Sequence, residues 1–152
     1  MSKQKTRFDG LDVLAMTSYL QNTILGYKVV NIYDGSSGKD VLLFKLASTG
    51  TANGNNLTSS DKASDKNDNN KYGSNKQMLL LESGIRFHLT SHESNSQQQP
   101  GQFAMKLRKH IRGSRLEGVR QLGNLDRVVD FRFGSGDRAH HIILELYAPL
   151  KA

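Results

Sequence analysis

Two helical stretches, set among about seven short apolar runs with no regular strand-helix alternation, predict an α+β domain whose sheet or sandwich is mainly antiparallel. Apolar residues return at helical spacing in only two places, near residues 11–25 and 102–112. Most other apolar residues fall in runs of strand length, divided by turn signals such as Asp34-Gly35, Ser83-Gly84 and Gly134-Ser135-Gly136-Asp137.

The first helix is expected over about 11–25, with Val13, Met16, Leu20 and Ile24 on one face and Gly26 as the stop. Asp9 can accept the first backbone N–H groups as N-cap. Asp12, three residues on, can reach back to the cap and face the positive end of the helix dipole. Strands are expected at 27–33, 41–46, 78–82 and 85–90. Between the second and third lies a segment of different character, residues 47–76, made of Ser, Asn, Gly, Asp and Lys. It has almost nothing to bury against its ordering entropy, so it reads as a disordered insertion linking two neighbouring strands. After a polar, Gln-rich loop, the second helix at 102–112 is expected to turn Phe103, Leu107 and His110 or Ile111 inward. Runs at 116–122, 125–133 and 139–147 then complete a meander. Phe131 and Phe133, like Leu125 and Val129, fit the core face of a strand better than a base-stacking platform.

A chain of 152 residues with 36% hydrophobic content suits one compact domain. It has no cysteine, which excludes disulfides, thiol nucleophiles and thiolate metal sites. The first ten residues lack the apolar core of a secretion signal, and no run approaches the length of a membrane span. An intracellular protein without membrane partners is the expectation. Charge gives the sharpest clue: Lys and Arg total 21 against 14 Asp and Glu. Lys106, Arg108, Lys109, Arg112, Arg115 and Arg120 stand in a short stretch against Glu117 alone, so most of the +7 excess is one patch. A patch of that sign and density favours a polyanionic partner, with Lys106, Arg108, Lys109, Arg112 and Arg115 as candidate phosphate contacts. His88 and His92 lie four apart on an extended segment, a spacing that does not build a helical ligand pair, and no metal site is expected. His140 and His141, consecutive in a strand, face opposite ways.

The runs LLLESGIRFHLT (79–90), FAMKLRKHIRGSRL (103–116), QLGNLDRVVDFRFG (121–134) and HIILELY (141–147), with LDVLAM and GYKVVNIYD near the start, closely resemble the N-terminal domain of the NFACT family. That family includes eukaryotic ribosome quality control subunits and bacterial relatives described as fibronectin-binding proteins. The resemblance covers nearly the whole chain outside residues 47–76 and the Gln-rich loop, and it implies that the chain is one NFACT N-terminal domain of a larger protein. It implies a fold similar to the N-terminal domain of formamidopyrimidine-DNA glycosylases. It also implies a cytoplasmic factor that binds the large ribosomal subunit and tRNA, works with a ubiquitin ligase, and extends stalled nascent chains without mRNA. No cofactor is implied. An acidic residue at the start of the first helix and an Asp-Arg pair in the later meander are the family's functional positions, matched here by Asp12, Asp126 and Arg127.

Each of these residues has a simpler role to set beside the functional one. Asp12 suits a helix cap, and Asp126-Arg127 suits a turn-stabilising ion pair. Two other function classes stand beside RNA binding: a DNA-glycosylase-like enzyme and a protein-interaction scaffold. Related glycosylases use an N-terminal proline as nucleophile, whereas this chain begins Met1-Ser2-Lys3-Gln4, and no hydrolase, phosphate-loop or zinc-protease motif is present. A non-catalytic module is therefore expected.

Overall fold

A computed structural model of the chain describes residues 5–35, 40–48, 75–91 and 99–147. In these, α1 (Gly10–Thr23) leads into β1 (Lys28–Asp34), β2 (Val41–Ala47), β3 (Lys76–Glu82) and β4 (Arg86–Thr90). Then come α2 (Gln102–Ile111), β5 (Leu116–Gln121), β6 (Val128–Phe133) and β7 (His140–Glu145). Within each of two sheets, four-stranded β1-β2-β3-β4 and three-stranded β5-β6-β7, every strand pairs antiparallel with its neighbours in sequence.

The two sheets stack face to face because each turns its aromatic residues toward the other. Phe44 of β2 stacks on Phe133 of β6 at 5.9 Å, and Phe87 of β4 meets the edge of Phe131 of β6 at 5.7 Å. Around them Ile32, Leu46, Leu79, Leu116 and Val129 are sealed from solvent, as are Val13 and Leu20 of α1 and its C-cap Ile24. Aromatic pairs of this geometry add roughly 0.5–1.5 kcal/mol each beyond the area they bury. The sheets also meet along one corner, where Gly113 N–H donates to Val29 O, Val29 N–H to Ser114 O, and Leu116 N–H to Tyr27 O.

α1 opens with the expected cap. The Asp9 carboxylate accepts from Leu11 and Asp12 N–H, and Asp12 Oδ2 accepts from Asp9 N–H at 2.9 Å. The helix ends at Thr23 rather than 25. Asn22 and Thr23 side chains bond to the carbonyls of Ser18 and Tyr19, and Gly26, at φ +83°, redirects the chain into β1.

Two boundaries and one helix face differ from the sequence reading. The segment taken as an insertion is ordered at both ends: Ala47 is fully buried and pairs with Lys76, and Ser48 N–H donates to Asn75 O. Residues 49–74 lie outside the described residues, as does His92. β6 begins at Val128, not 125. Leu125 sits at φ +58° and is 47% exposed, so it belongs to a loop and not to a core face. α2 turns Leu107 and Ile111 toward the core as expected, but its first turn buries Ala104 and leaves Phe103 59% exposed. That turn is held by tertiary anchors on β1, described next, which override the apolar periodicity of a short helix.

Candidate nucleic-acid interface

The loop joining β5 to β6, residues 122–127, is pressed against the first turn of α1. A side chain on Gly10 would place its Cβ 2.1 Å from Leu125 O, so only glycine permits the approach. Gln121 then ties the two segments, its Nε2 donating to Gly10 O at 2.9 Å and to Asp126 O at 2.7 Å. Leu125 adopts its left-handed backbone within this packed turn, next to Gly123 at φ +65°.

That turn presents Asp126 and Arg127 beside Tyr147. Asp126 Oδ1 accepts from Arg127 N–H at 2.7 Å and from the Tyr147 hydroxyl. The Tyr147 hydrogen bond, with the Arg127 N–H second, holds the Asp126 carboxyl below the usual carboxylate range. The Arg127 guanidinium lies over the Tyr147 ring, 4.5 Å from its centre, and Leu146 N–H donates to Arg127 O. Asp126 and Arg127 therefore form no ion pair with each other among the described residues. Both are organised through Tyr147, a partner that sequence reading overlooked because it lies twenty residues along in a different segment. Gln121 was overlooked for the same reason.

Asp12 stands two residues beyond Gly10 in the same helical turn, so the fold brings its backbone to this junction. Its carboxylate turns the other way, accepting from Asp9 N–H and pairing with Lys5 Nζ at 2.5 Å. No hydrogen bond or ion pair joins Asp12 to Asp126 or Arg127 among the described residues. Lys5 also pairs with Asp9 at 2.6 Å. It draws the Asp9 carboxyl down to about 2, helped by the Asp12 N–H, while its own ammonium is raised by the two carboxylates, Asp12 first.

The basic helix divides into two groups. β1 is the edge strand of its sheet, and α2 covers that edge. Arg108 Nε donates to Ile32 O at 2.7 Å and Arg112 Nε to Val30 O at 3.1 Å, while the Arg108 guanidinium lies 5.4 Å from the centre of the Tyr33 ring. At the other end of the helix, Gly101 N–H donates to the Asp34 carboxylate, a cap supplied by the strand itself. Each Nε bond leaves the terminal amino groups of its guanidinium as further donors. Lys106 and Lys109, by contrast, are exposed and make no hydrogen bond or ion pair among the described residues. Arg115 reaches Gly26 O at 3.4 Å at the corner where the sheets meet. His140 faces His110 of α2, ring centres 5.5 Å apart, while its neighbour His141 points to the opposite side and pairs with Asp130.

Among the described residues no cluster of His, Asp and Glu is placed to hold a metal ion, and no helix is long and apolar enough to cross a membrane.

Comparison with known proteins fits this architecture. Residues 69–149 match the family described as NFACT N-terminal and middle domains. The chain is 40% identical over 143 residues to the ribosome quality control complex subunit NEMF homolog of Drosophila melanogaster, which is 94% of this chain and 12% of that protein. It is 38% identical over the same length to the ribosome quality control complex subunit NEMF of Homo sapiens, covering 11% of it. The chain thus spans only about an eighth of the curated relatives it matches. Among solved structures, the N-terminal part of the fibronectin/fibrinogen-binding protein from Streptococcus suis superposes with a TM-score of 0.60 at 22% identity, over 90% of this chain and 42% of that one. The N-terminal domain of fibronectin-binding protein PavA from Streptococcus pneumoniae gives 0.59 at 19%, over 90% of this chain and 44% of that one, and at such identities both likenesses speak to the fold. With a family match over more than half its length and the matched sheets folded as above, the chain belongs to the NFACT family.

Proposed function

We propose that this chain is an RNA-binding module of a ribosome quality control factor, holding tRNA at the β5–β6 loop and contacting RNA phosphates along α2. The observation that carries this is the Arg127 platform. A guanidinium stacked on Tyr147, with Asp126 fixing the tyrosine hydroxyl, is a half-exposed planar cation held in one orientation. Such a group can meet a phosphate through paired N–H donors or stack on the base of an unpaired nucleotide. Asp12 stands on the adjoining helical turn with its carboxylate held by Asp9 N–H and Lys5, so it would reach the ligand only on leaving them, and Lys106, Lys109, Arg112 and Arg115 would supply the phosphate contacts.

The names of the relatives place them in ribosome quality control complexes. In the full-length protein the domain would act in the cytoplasm on large ribosomal subunits carrying peptidyl-tRNA, alongside a ubiquitin ligase, in mRNA-independent extension of stalled chains. The domain's part in this is positioning rather than catalysis.

The test is tRNA binding by this chain, followed by fluorescence anisotropy. Arg127→Ala is expected to weaken binding by roughly 5- to 100-fold, about 1–3 kcal/mol. Tyr147→Phe, which keeps the ring and removes the hydroxyl, should lose less. Asp12→Asn keeps an acceptor for the cap while removing the charge, so a loss of tRNA binding without a loss of Tm would mark Asp12 as a ligand-facing carboxylate. In the full-length protein the combination of Asp12→Asn, Asp126→Asn and Arg127→Ala should abolish tail synthesis while ribosome association through the basic helix persists. Wild-type binding that is weak, insensitive to salt and indifferent to Arg127 would instead support a protein-interaction scaffold.

A further inference from the structure

The outer face of the three-stranded sheet carries a cleft of about 550 Å³, walled by Gln21 of α1 and lined by Arg120, Asp130, Arg132 and His141. Its centre is Asp130, which is 6% exposed and is the buried carboxylate among the described residues. Asp130 alternates with the core residues Val129 and Phe131, so it lies on the outward face, where packing alone does not call for a charge. A carboxylate in that position is costly unless paired, and each of its oxygens has a partner. Oδ1 lies 2.8 Å from His141 Nδ1, and Oδ2 lies 3.5 Å from a terminal nitrogen of Arg120.

This pairing determines what His141 can do. A carboxylate can only accept, so the proton sits on Nδ1, and the neutral ring must carry a bare lone pair on Nε2. The imidazole side chain is 46% exposed, which leaves it accessible from the cleft. Beside it stands Arg132, its direct cross-strand partner, exposed and without a hydrogen bond or ion pair among the described residues. Opposite Arg132 on β5 is Gly118, which contributes no side chain and keeps the floor there open. Two arginines and one fixed acceptor thus share a groove on the side of the molecule away from the interface between the sheets, with Glu117 of β5 as a second carboxylate in its wall beside Asp130.

We infer that this cleft is a second RNA site that selects ribose: Arg120 and Arg132 take a backbone phosphate, and His141 Nε2 accepts a hydrogen bond from a 2′-hydroxyl. The inference rests on the RNA-binding reading above and adds to it a means of preferring RNA over DNA. A phosphate alone would need only the arginines, and the lone pair of His141 would face it unfavourably. A hydroxyl donor next to the phosphate satisfies all three groups, and of the two nucleic-acid sugars only ribose offers one along the strand. Asp130 acts as a positioning residue, because it sets the tautomer without touching the ligand.

The experiment compares binding of this chain to single strands of about 12 nucleotides, long enough to fill such a groove. One sequence is used in RNA, DNA and 2′-O-methyl form, at mildly alkaline pH where imidazole is neutral. The wild type should bind RNA roughly 5- to 10-fold more tightly than either other strand, the size of one hydrogen bond. His141→Ala should bring RNA down to the DNA level and leave DNA unchanged. Arg120→Ala with Arg132→Ala should weaken RNA and DNA alike. Asp130→Asn no longer fixes the ring proton, since its amide can donate to Nδ1 as well as accept from it. It should weaken the preference with both arginines still present, to the extent that the nitrogen NMR shifts of His141 show the proton to have moved to Nε2. Tight RNA binding with no preference, or a preference that survives His141→Ala, overturns the cleft and leaves the Arg127 site standing. An unprotonated Nδ1 in the wild type does the same. A wild-type chain that binds no RNA overturns both.

Discussion

Asp9, Lys5 and Asp12 form the residue-level device that starts the fold, and it has a definite pH dependence. The folded Asp9 carboxyl titrates near 2, against 3.8 ordinarily, because Lys5 and the Asp12 N–H favour its charged form. Between those values the unfolded chain binds the proton and the folded chain does not, so folding releases it and stability rises with pH. The contribution is complete above the ordinary value and is lost as pH falls through about 2. Tm measured from pH about 5 downward should therefore fall less steeply in Asp9→Asn, which still caps but does not titrate, and the difference should shrink in high salt. A direct NMR titration that finds Asp9 at an ordinary carboxylate value would rule this out. The capping role of Asp9 and Asp12 was legible because both ends of the interaction lie three residues apart. Tyr147 over Arg127 and Gln121 under Gly10 were not, since nothing local in a sequence reports a contact made across a turn of the fold.

Among the elements, α2 shows how the same residue types serve two purposes. Arg108 and Arg112, four apart on one face, close the exposed edge of β1, whereas Lys106 and Lys109 point to solvent. The two pairs should separate in experiment. Arg108→Ala with Arg112→Ala is expected to lower Tm by roughly 2–6 °C, as charged donors are withdrawn from strand carbonyls. Lys106→Ala with Lys109→Ala should leave Tm within about 1 °C and flatten the salt dependence of RNA binding by up to about one unit per lost contact. Equal Tm losses in both pairs, measured by thermal shift, would contradict the division. The sequence showed the charge density of α2 but not its orientation. Its amphipathic pattern placed Leu107 and Ile111 correctly but also allowed Phe103 to face inward, and the anchors on β1, through Asp34, Ile32 and Val30, hold the helix with Ala104 inward instead.

At the scale of the whole molecule, the α+β class, both helices and all seven strands were legible, because apolar periodicity and turn residues are local signals. The division into two sheets was less so: it depends on Phe44 with Phe133 and Phe87 with Phe131, pairs 89 and 44 residues apart in the chain. The polar segment after β2 proved shorter than its composition suggested, since the β2–β3 ladder continues through Ala47 with Lys76 and Ser48 with Asn75. That ladder brings the two ends of the segment together at Ser48 and Asn75, so replacing residues 50–73 by a short Gly-Ser link should preserve the fold, with Tm unchanged or slightly raised. A large fall in Tm would show that the segment contributes to packing. β5, finally, joins the Arg115 corner to the Arg127 loop through six residues of extended chain. At about 3.3 Å per residue it is a stiff ruler of roughly 20 Å, comparable to about six steps along one strand of a nucleic-acid helix. An RNA gripped at both marks would be gauged by a fixed interval, so its identity would be checked by length and curvature as well as by chemistry.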